Sequence, residues 1–149
     1  MQLTQEGMLT AERNCGVRVS QAPSEWMQPL IIELRRSIET ASVAHLIKET
    51  EDLDLAPLES IADRLGKACE QGDMATVTEL DMDFHQSLIE LAGDGEVVAI
   101  WRPIVMRMIM HYSRHKNMAQ SYEEHVAILD AVRARDLQRA VKALTANIQ

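Results

Sequence analysis

From Ser24 onward, apolar residues recur every three or four positions in six successive segments, and that rhythm limits what this chain can fold into more than any other feature. Ile31, Leu34, Ile38 and Ala41 mark the first segment, and Leu58, Ile61, Leu65 and Ala68 the second. Val77, Phe84, Leu88 and Leu91 mark the third, and Val97, Ile100, Trp101, Ile104 and Met108 the fourth. Ile128, Leu129 and Val132 follow in the fifth, then Leu137, Ala140, Val141 and Leu144 in the sixth. Such spacing gathers each set on one face of an α-helix. Aromatic residues are only 3% of the chain, so strands have little to build with. The expected fold is all-α, an antiparallel bundle of about six helices joined by short connections.

Punctuation residues divide the segments. Ser24 is placed to cap the first helix, and Pro29 either kinks that helix or marks its start. The helix fades by Thr50–Asp54. Pro57 suits the first turn of the second helix and Gly72 stops it. Asp73 caps the third, which ends at Gly93-Asp94-Gly95. Pro103 inside the fourth predicts a bend or an early start. Ser121-Tyr122-Glu123-Glu124 reads as a capping box for the fifth helix, and Asp136 caps the sixth.

The chain before Ser24 has a different character. The alternation Gly16-Val17-Arg18-Val19-Ser20 predicts a short β-hairpin, with strands near Met8–Thr10 and Val17–Val19 and a turn at Arg13–Gly16. An isolated hairpin is marginal in water, so this one needs a neighbour or is a remnant of a larger unit. Residues 1–22 and 23–149 therefore read as two units.

Composition closes off several function classes. A formal net charge of −8 is the wrong sign for a chain whose main task is holding phosphates. Two cysteines, Cys15 and Cys69, form no CxxC, which argues against a disulfide framework or a zinc finger. No run approaches the roughly 20 apolar residues of a membrane span, and the amino terminus lacks a signal-peptide core. A cytoplasmic setting without membrane attachment is the expectation.

The chemistry lies in polar residues on apolar faces. Asp81 and His85, four residues apart, share a face with Val77, Phe84 and Leu88, while His125 shares one with Ile128, Leu129 and Val132. A carboxylate and imidazoles there need partners, and helical bundles build ligand and metal sites from such inward groups. The plainer alternative for Asp81 and His85 is an i,i+4 hydrogen bond partly open to solvent. Arg35 stands one turn before Glu39, as a solvated charge or ion pair or as an anchor for an anion. Arg102 and Arg107 on the fourth segment are further candidates for bidentate carboxylate binding or plain surface charges. His111 and His115 read as rim or surface residues near a helix end, His45 as surface, and Trp26 and Trp101 as packing anchors.

Glu33-x-Arg35-x3-Glu39, then Asp81-x2-Phe84-His85-x2-Leu88, then Glu124-His125-x2-Ile128-Leu129-x-Ala131, with a terminal helix after Asp136, together resemble the FCD domain. This is the C-terminal effector-binding domain of the FadR subfamily of GntR transcription regulators. The stretch from Glu6-Gly7-Met8-Leu9-Thr10 to Gly16-Val17-Arg18-Val19 resembles the wing of their winged helix-turn-helix. The resemblance implies a remnant of the DNA-binding domain in 1–22 and a ligand-binding domain in 23–149. It implies a small-molecule effector, a carboxylate or other organic acid, and a homodimer. DNA is a partner only where a complete head precedes the wing; its recognition helix would lie upstream of Met1, so a misplaced start codon or a truncated product is expected.

Many FCD domains hold a divalent transition metal (Zn, Ni, Mn or Fe) through one Asp and three His. Asp81, His85 and His125 match three positions, and the fourth falls on Asn147, whose amide oxygen is a poor ligand for zinc or nickel. Arg35 matches an arginine that faces the effector cavity in some members; Arg102 is a second anchor without a matching motif. Three ligands and an open position also describe a metal-dependent hydrolase. No HExxH or nucleophile motif accompanies them, and no general base stands outside the ligand set, so a non-enzyme is expected. A ligand-free interaction module is the third alternative, with Asn147 as its best support.

Overall fold

Prolines open the first two helices. In the computed structural model, which describes residues 9–12, 16–19, 23–93, 95–109 and 118–149, a 3-10 turn at Glu25–Met27 leads into α1 (Gln28–Glu49). Pro29 lies in the first turn of α1, where its missing N–H leaves no helix bond unmade. It marks the start of the helix and does not kink it. Ser24 precedes the 3-10 turn instead of α1, and its side chain makes no capping bond. Pro57 sits likewise in the first turn of α2 (Ala56–Gln71), which ends at Gly72 with φ 71°, a left-handed position that suits glycine.

Asp73 caps α3 (Met74–Leu91) by accepting the Thr76 N–H at 3.2 Å. The fourth helix, α4 (Gly95–Ile109), contains Pro103. Its successor, α5 (Met118–Arg133), begins ahead of Ser121, so Ser121 is a buried interior residue and the expected capping box does not stand at the helix start. Asp136 caps α6 (Leu137–Asn147) through the Arg139 N–H. Arg135, in the turn before it, donates to the carbonyls of Ile47, Thr50 and Glu51. These belong to the C-terminal end of α1 and the residues just beyond it, where helix carbonyls lack partners and a cation is favoured.

Ahead of the helices, β1 (Leu9–Glu12) and β2 (Gly16–Val19) pair antiparallel, Leu9 opposite Val19 and Glu12 opposite Gly16. Met8, Arg13, Cys15, Asp94, His111 and His115, each of which entered an expectation above, lie outside the described residues.

The helices pack as a bundle, with α1 against α3, α4 and α6, and α2 against α3 and α5. Phe84 and Leu88 of α3, Ile128 and Val132 of α5, Leu144 of α6 and Leu46 of α1 meet in the main core, each essentially fully buried. Burying each such side chain is worth about 1.5–3 kcal/mol. No helix among the described residues is long and apolar enough to cross a membrane.

Two faces differ from the apolar spacing. On α1 the inward residues are Ile31, Arg35, Glu39, Ser42, Val43, Leu46 and Ile47, while Leu34 and Ala41 point to solvent. An Arg–Glu pair neutralises itself, so the stripe carrying it turns inward with its aliphatic neighbours. On α4 the buried residues are Trp101, Val105 and Met108, and Ile100 is exposed. Trp101 is the packing anchor its size suggests; Trp26 is not, being 72% exposed.

Candidate functional site

One turn of α3 places Asp81 and His85 on the same face, and α5 brings His125 to meet them. One ligand atom from each of the three residues lies within 4.8 Å of the others, and all three residues are buried. His125 Nε2 stands 3.2 Å from Asp81 Oδ1. Phe84, next to His85 in sequence, packs edge-on against both rings, at centroid distances of 5.8 Å to His85 and 4.9 Å to His125. The imidazole rings lie 5.3 Å apart, centroid to centroid.

The tautomers follow from the outer hydrogen bonds. His125 Nδ1 is 2.7 Å from the Ser121 carbonyl, which only accepts, so Nδ1 carries the proton. His85 Nδ1 is 2.6 Å from Glu39 Oε2, an ionised carboxylate that also only accepts. In a neutral ring the remaining nitrogen, Nε2, is then a bare lone pair. Neither Nε2 has a hydrogen-bond partner among the described residues: the His125–Asp81 approach is short but not aligned as a hydrogen bond. Two buried lone pairs beside a carboxylate suit a divalent metal, since imidazole ligands normally donate their other N–H to a carbonyl or carboxylate.

Charge balance agrees with a neutral His85 and ionised Asp81 and Glu39. Burial pushes the His85 pKa down, and Glu39 beside it does not reverse this. For Asp81, burial alone would raise the pKa, but His125, His85 and Arg35 outweigh it and hold the carboxyl well below the usual range. Burial likewise raises Glu39, yet Arg35 and His85 bring it down from 4.5 to about 2.

Arg35, for which the sequence left open an effector-cavity anchor, a solvated charge or an ion pair with Glu39, is buried at this cluster in that ion pair. Its Nε donates to Glu39 Oε1 at 2.7 Å, and its Nη2 stands 4.0 Å from Asp81 Oδ2. Its Nη1 points at the Met108 sulfur, 3.5 Å away. Arg102 donates to Gln86 Oε1 at 3.0 Å, on the α3–α4 side. Arg107 donates to the Pro103 carbonyl, and His45 is exposed. Asn147 is buried; its amide nitrogen donates to Glu124 Oε2 at 3.1 Å, and its Oδ1 has no hydrogen-bond partner among the described residues.

Sequence reasoning missed three contributors: Glu39 as the partner of His85, Trp101 as a polar donor to Glu39 Oε1 at 2.7 Å, and the Ser121 carbonyl. For Glu39 a signal existed. Ile31, Arg35, Glu39 and Val43 recur every four residues, a second stripe through the first segment that alternates apolar and charged residues. The other two depend on tertiary approach or on the backbone, which no spacing reveals.

Comparison with known proteins agrees with this architecture. The family model of the FCD domain matches residues 30–149. The chain is 30% identical over 131 residues to the HTH-type transcriptional repressor NanR of Escherichia coli (strain K12), and 28% over 127 residues to the NanR repressor of Klebsiella aerogenes. Each match covers 78% of this chain and 46% of the relative, so the chain spans about half the length of these relatives. Among solved structures, E. coli McbR/YncC has a TM-score of 0.81 at 20% identity, with 99% of this chain and 76% of that one covered. A GntR transcriptional regulator from Rhodococcus sp. RHA1 has a TM-score of 0.78 at 21% identity, with 98% and 71% covered. Likeness at that identity carries the fold alone. With a matched family model over most of its length and the helical bundle that goes with it, this chain belongs to the FCD domain family.

Proposed function

We propose that this chain is the effector-sensing part of a GntR-type transcription regulator of the FadR subfamily, and that it senses a small carboxylate metabolite at a divalent metal centre. The single observation behind this is the meeting of His85 and His125 with the Asp81 carboxylate in one buried group, the Nε2 atoms of both rings having no hydrogen-bond partner among the described residues. Asp81, His85 and His125 would hold the ion, and their donor set suits Zn, Ni, Mn or Fe. When bound, the metal supplies a Lewis-acidic point at which a carboxylate or a water can sit. The protein's own part is to exclude water with Phe84 and the surrounding apolar core, to keep the His85 imidazole neutral, and to hold Arg35 beside the carboxylates as a fixed cation. Asn147, whose Oδ1 has no hydrogen-bond partner among the described residues, is the candidate for a weak fourth position.

The hairpin β1–β2 is, in this reading, the wing of a winged helix-turn-helix, residues 1–22 belonging to that unit and 23–149 to the sensor. A homodimer would carry two such heads, and effector binding would act by changing their separation. The NanR relatives, named as transcriptional repressors, support the regulatory assignment over an enzyme.

The test is elemental analysis of protein purified without chelator or histidine tag, alongside His85→Ala. Near-stoichiometric transition metal in the wild type and its loss in the variant is the expected result. Absence of metal from the wild type, even after incubation with each of the four ions, would sink the metal part of the reading.

A further inference from the structure

The two histidines of the site are held in different ways. His125 donates its Nδ1–H to the carbonyl of Ser121, one turn earlier on its own helix, so α5 alone sets that ring. His85 donates instead to Glu39, a side chain of another helix, forty-six residues earlier in the chain. Glu39 is completely buried, and both of its oxygens are engaged. Oε2 takes the His85 N–H at 2.6 Å, while Oε1 takes the Arg35 Nε–H and the Trp101 Nε1–H, each at 2.7 Å. A carboxylate clamped from α1, α3 and α4 has no room to swing.

We propose that Glu39 is the positioning residue of the metal centre: it fixes the His85 tautomer and ring so that Nε2 faces Asp81 and His125. This rests on the metal reading given above. Left alone, a buried imidazole one turn from Asp81 has two tautomers to choose from, and the Nε2–H form would turn a proton toward the site instead of a lone pair. The Glu39 carboxylate removes that choice because it accepts only at Nδ1. A carboxylate behind a metal-bound histidine also raises the basicity of the ligating nitrogen. Trp101 and Arg35 act one step further out, holding the carboxylate in the plane that the His85 N–H requires. The clamp also makes α1 and α4 parts of the metal centre although neither contributes a ligand in the Asp81–His85–His125 set.

The first measurement needs no variant. Long-range ¹H–¹⁵N correlation spectra of the metal-free wild type should show His85 protonated on Nδ1 and bare on Nε2; an Nε2–H tautomer overturns the proposal. Zinc and nickel affinities by competition with a chromophoric chelator should then fall about 10- to 100-fold in Glu39→Gln. Far-UV circular dichroism is recorded on the same sample. A folded Glu39→Gln with wild-type affinity and an unchanged His85 tautomer also overturns it. Should Glu39→Gln not fold, the wild-type spectra decide, because zinc must shift the His85 Nε2 resonance and leave the Nδ1 proton in place. A wild type that binds neither ion removes the metal reading and this proposal with it, and that failure is visible before any variant is made.

Discussion

Helix α1 carries two faces that invert the usual division of labour. Its inward face holds Arg35, 2% exposed, and Glu39, fully buried, while its outward face shows Leu30 at 48% and Leu34 at 42% exposure. Beside that outward face, Ser37, Ile38, Ala41, His45, Val97 and Ile100 line an open, mostly apolar cleft of about 470 Å³ between α1 and α4. The difference teaches that burial follows partnership as well as hydrophobicity. An unpaired charge inside would be prohibitive, but a guanidinium and a carboxylate that satisfy each other, an imidazole and an indole can be buried together. The leucines outside lose little by comparison, since single exposed apolar side chains are ordinary on protein surfaces.

Breaking the inward pair should have the largest effect. Arg35→Ala or Glu39→Ala leaves a buried charge without its partner, and each is expected to lower the unfolding free energy by about 3–5 kcal/mol in urea titrations. The double variant Arg35→Met with Glu39→Leu should lose much less than the sum of the two, because no charge is stranded. Additive losses would show that the two groups are buried independently. Acid attacks the same pair without mutation. The Glu39 carboxyl is held at about 2 in the folded protein against an ordinary 4.5. Its contribution is therefore complete above pH 4.5 and is lost as pH falls toward 2. Circular dichroism across that window should show unfolding; stability flat down to pH 2 would contradict the clamp.

Metal should sharpen the contrast between the faces, since the proposed ligands Asp81, His85 and His125 are all buried on the inner side. Zinc at about a hundred times its dissociation constant should stabilise the wild type by about 2.7 kcal/mol and leave His85→Ala unchanged. In Asn147→His, an imidazole in place of the amide should tighten zinc and nickel binding if that position completes the ligand set. Unchanged affinity in a folded variant would place Asn147 outside it. The smallest effect is expected on the outer face, where Leu34→Ser should change monomer stability by no more than about 0.5 kcal/mol. A larger loss that depends on protein concentration would mean that a second copy covers this face, and sedimentation velocity would report it directly.

Much of the fold was legible because helix signals are local. Pro29, Pro57, Gly72, Asp73 and Asp136 all mark boundaries that the structure keeps, since first-turn proline, left-handed glycine and an aspartate accepting a nearby N–H act within a few residues. Ser121 shows the limit of such signals: the same four residues that spell a capping box lie inside α5. The grouping of Asp81 with His85 was legible from their shared helix face, and their meeting with His125 from the inward pattern of two helices together with the family resemblance. Glu39 was harder to see, because Arg35 and Glu39 at i,i+4 look the same whether the pair is solvated or buried.

By itself, then, the sequence determined the helical content, most helix limits, the acid and imidazoles available for a metal, and the family to which the chain belongs. The tertiary structure alone decided which stripe of α1 turns inward, that Trp101 would serve as a hydrogen-bond donor, and which atom holds His85. The physical reason is range. Helix formation and capping are settled between residues a turn apart, whereas the free energy of a buried charge depends on every group that reaches it, and for Glu39 those groups come from three different helices.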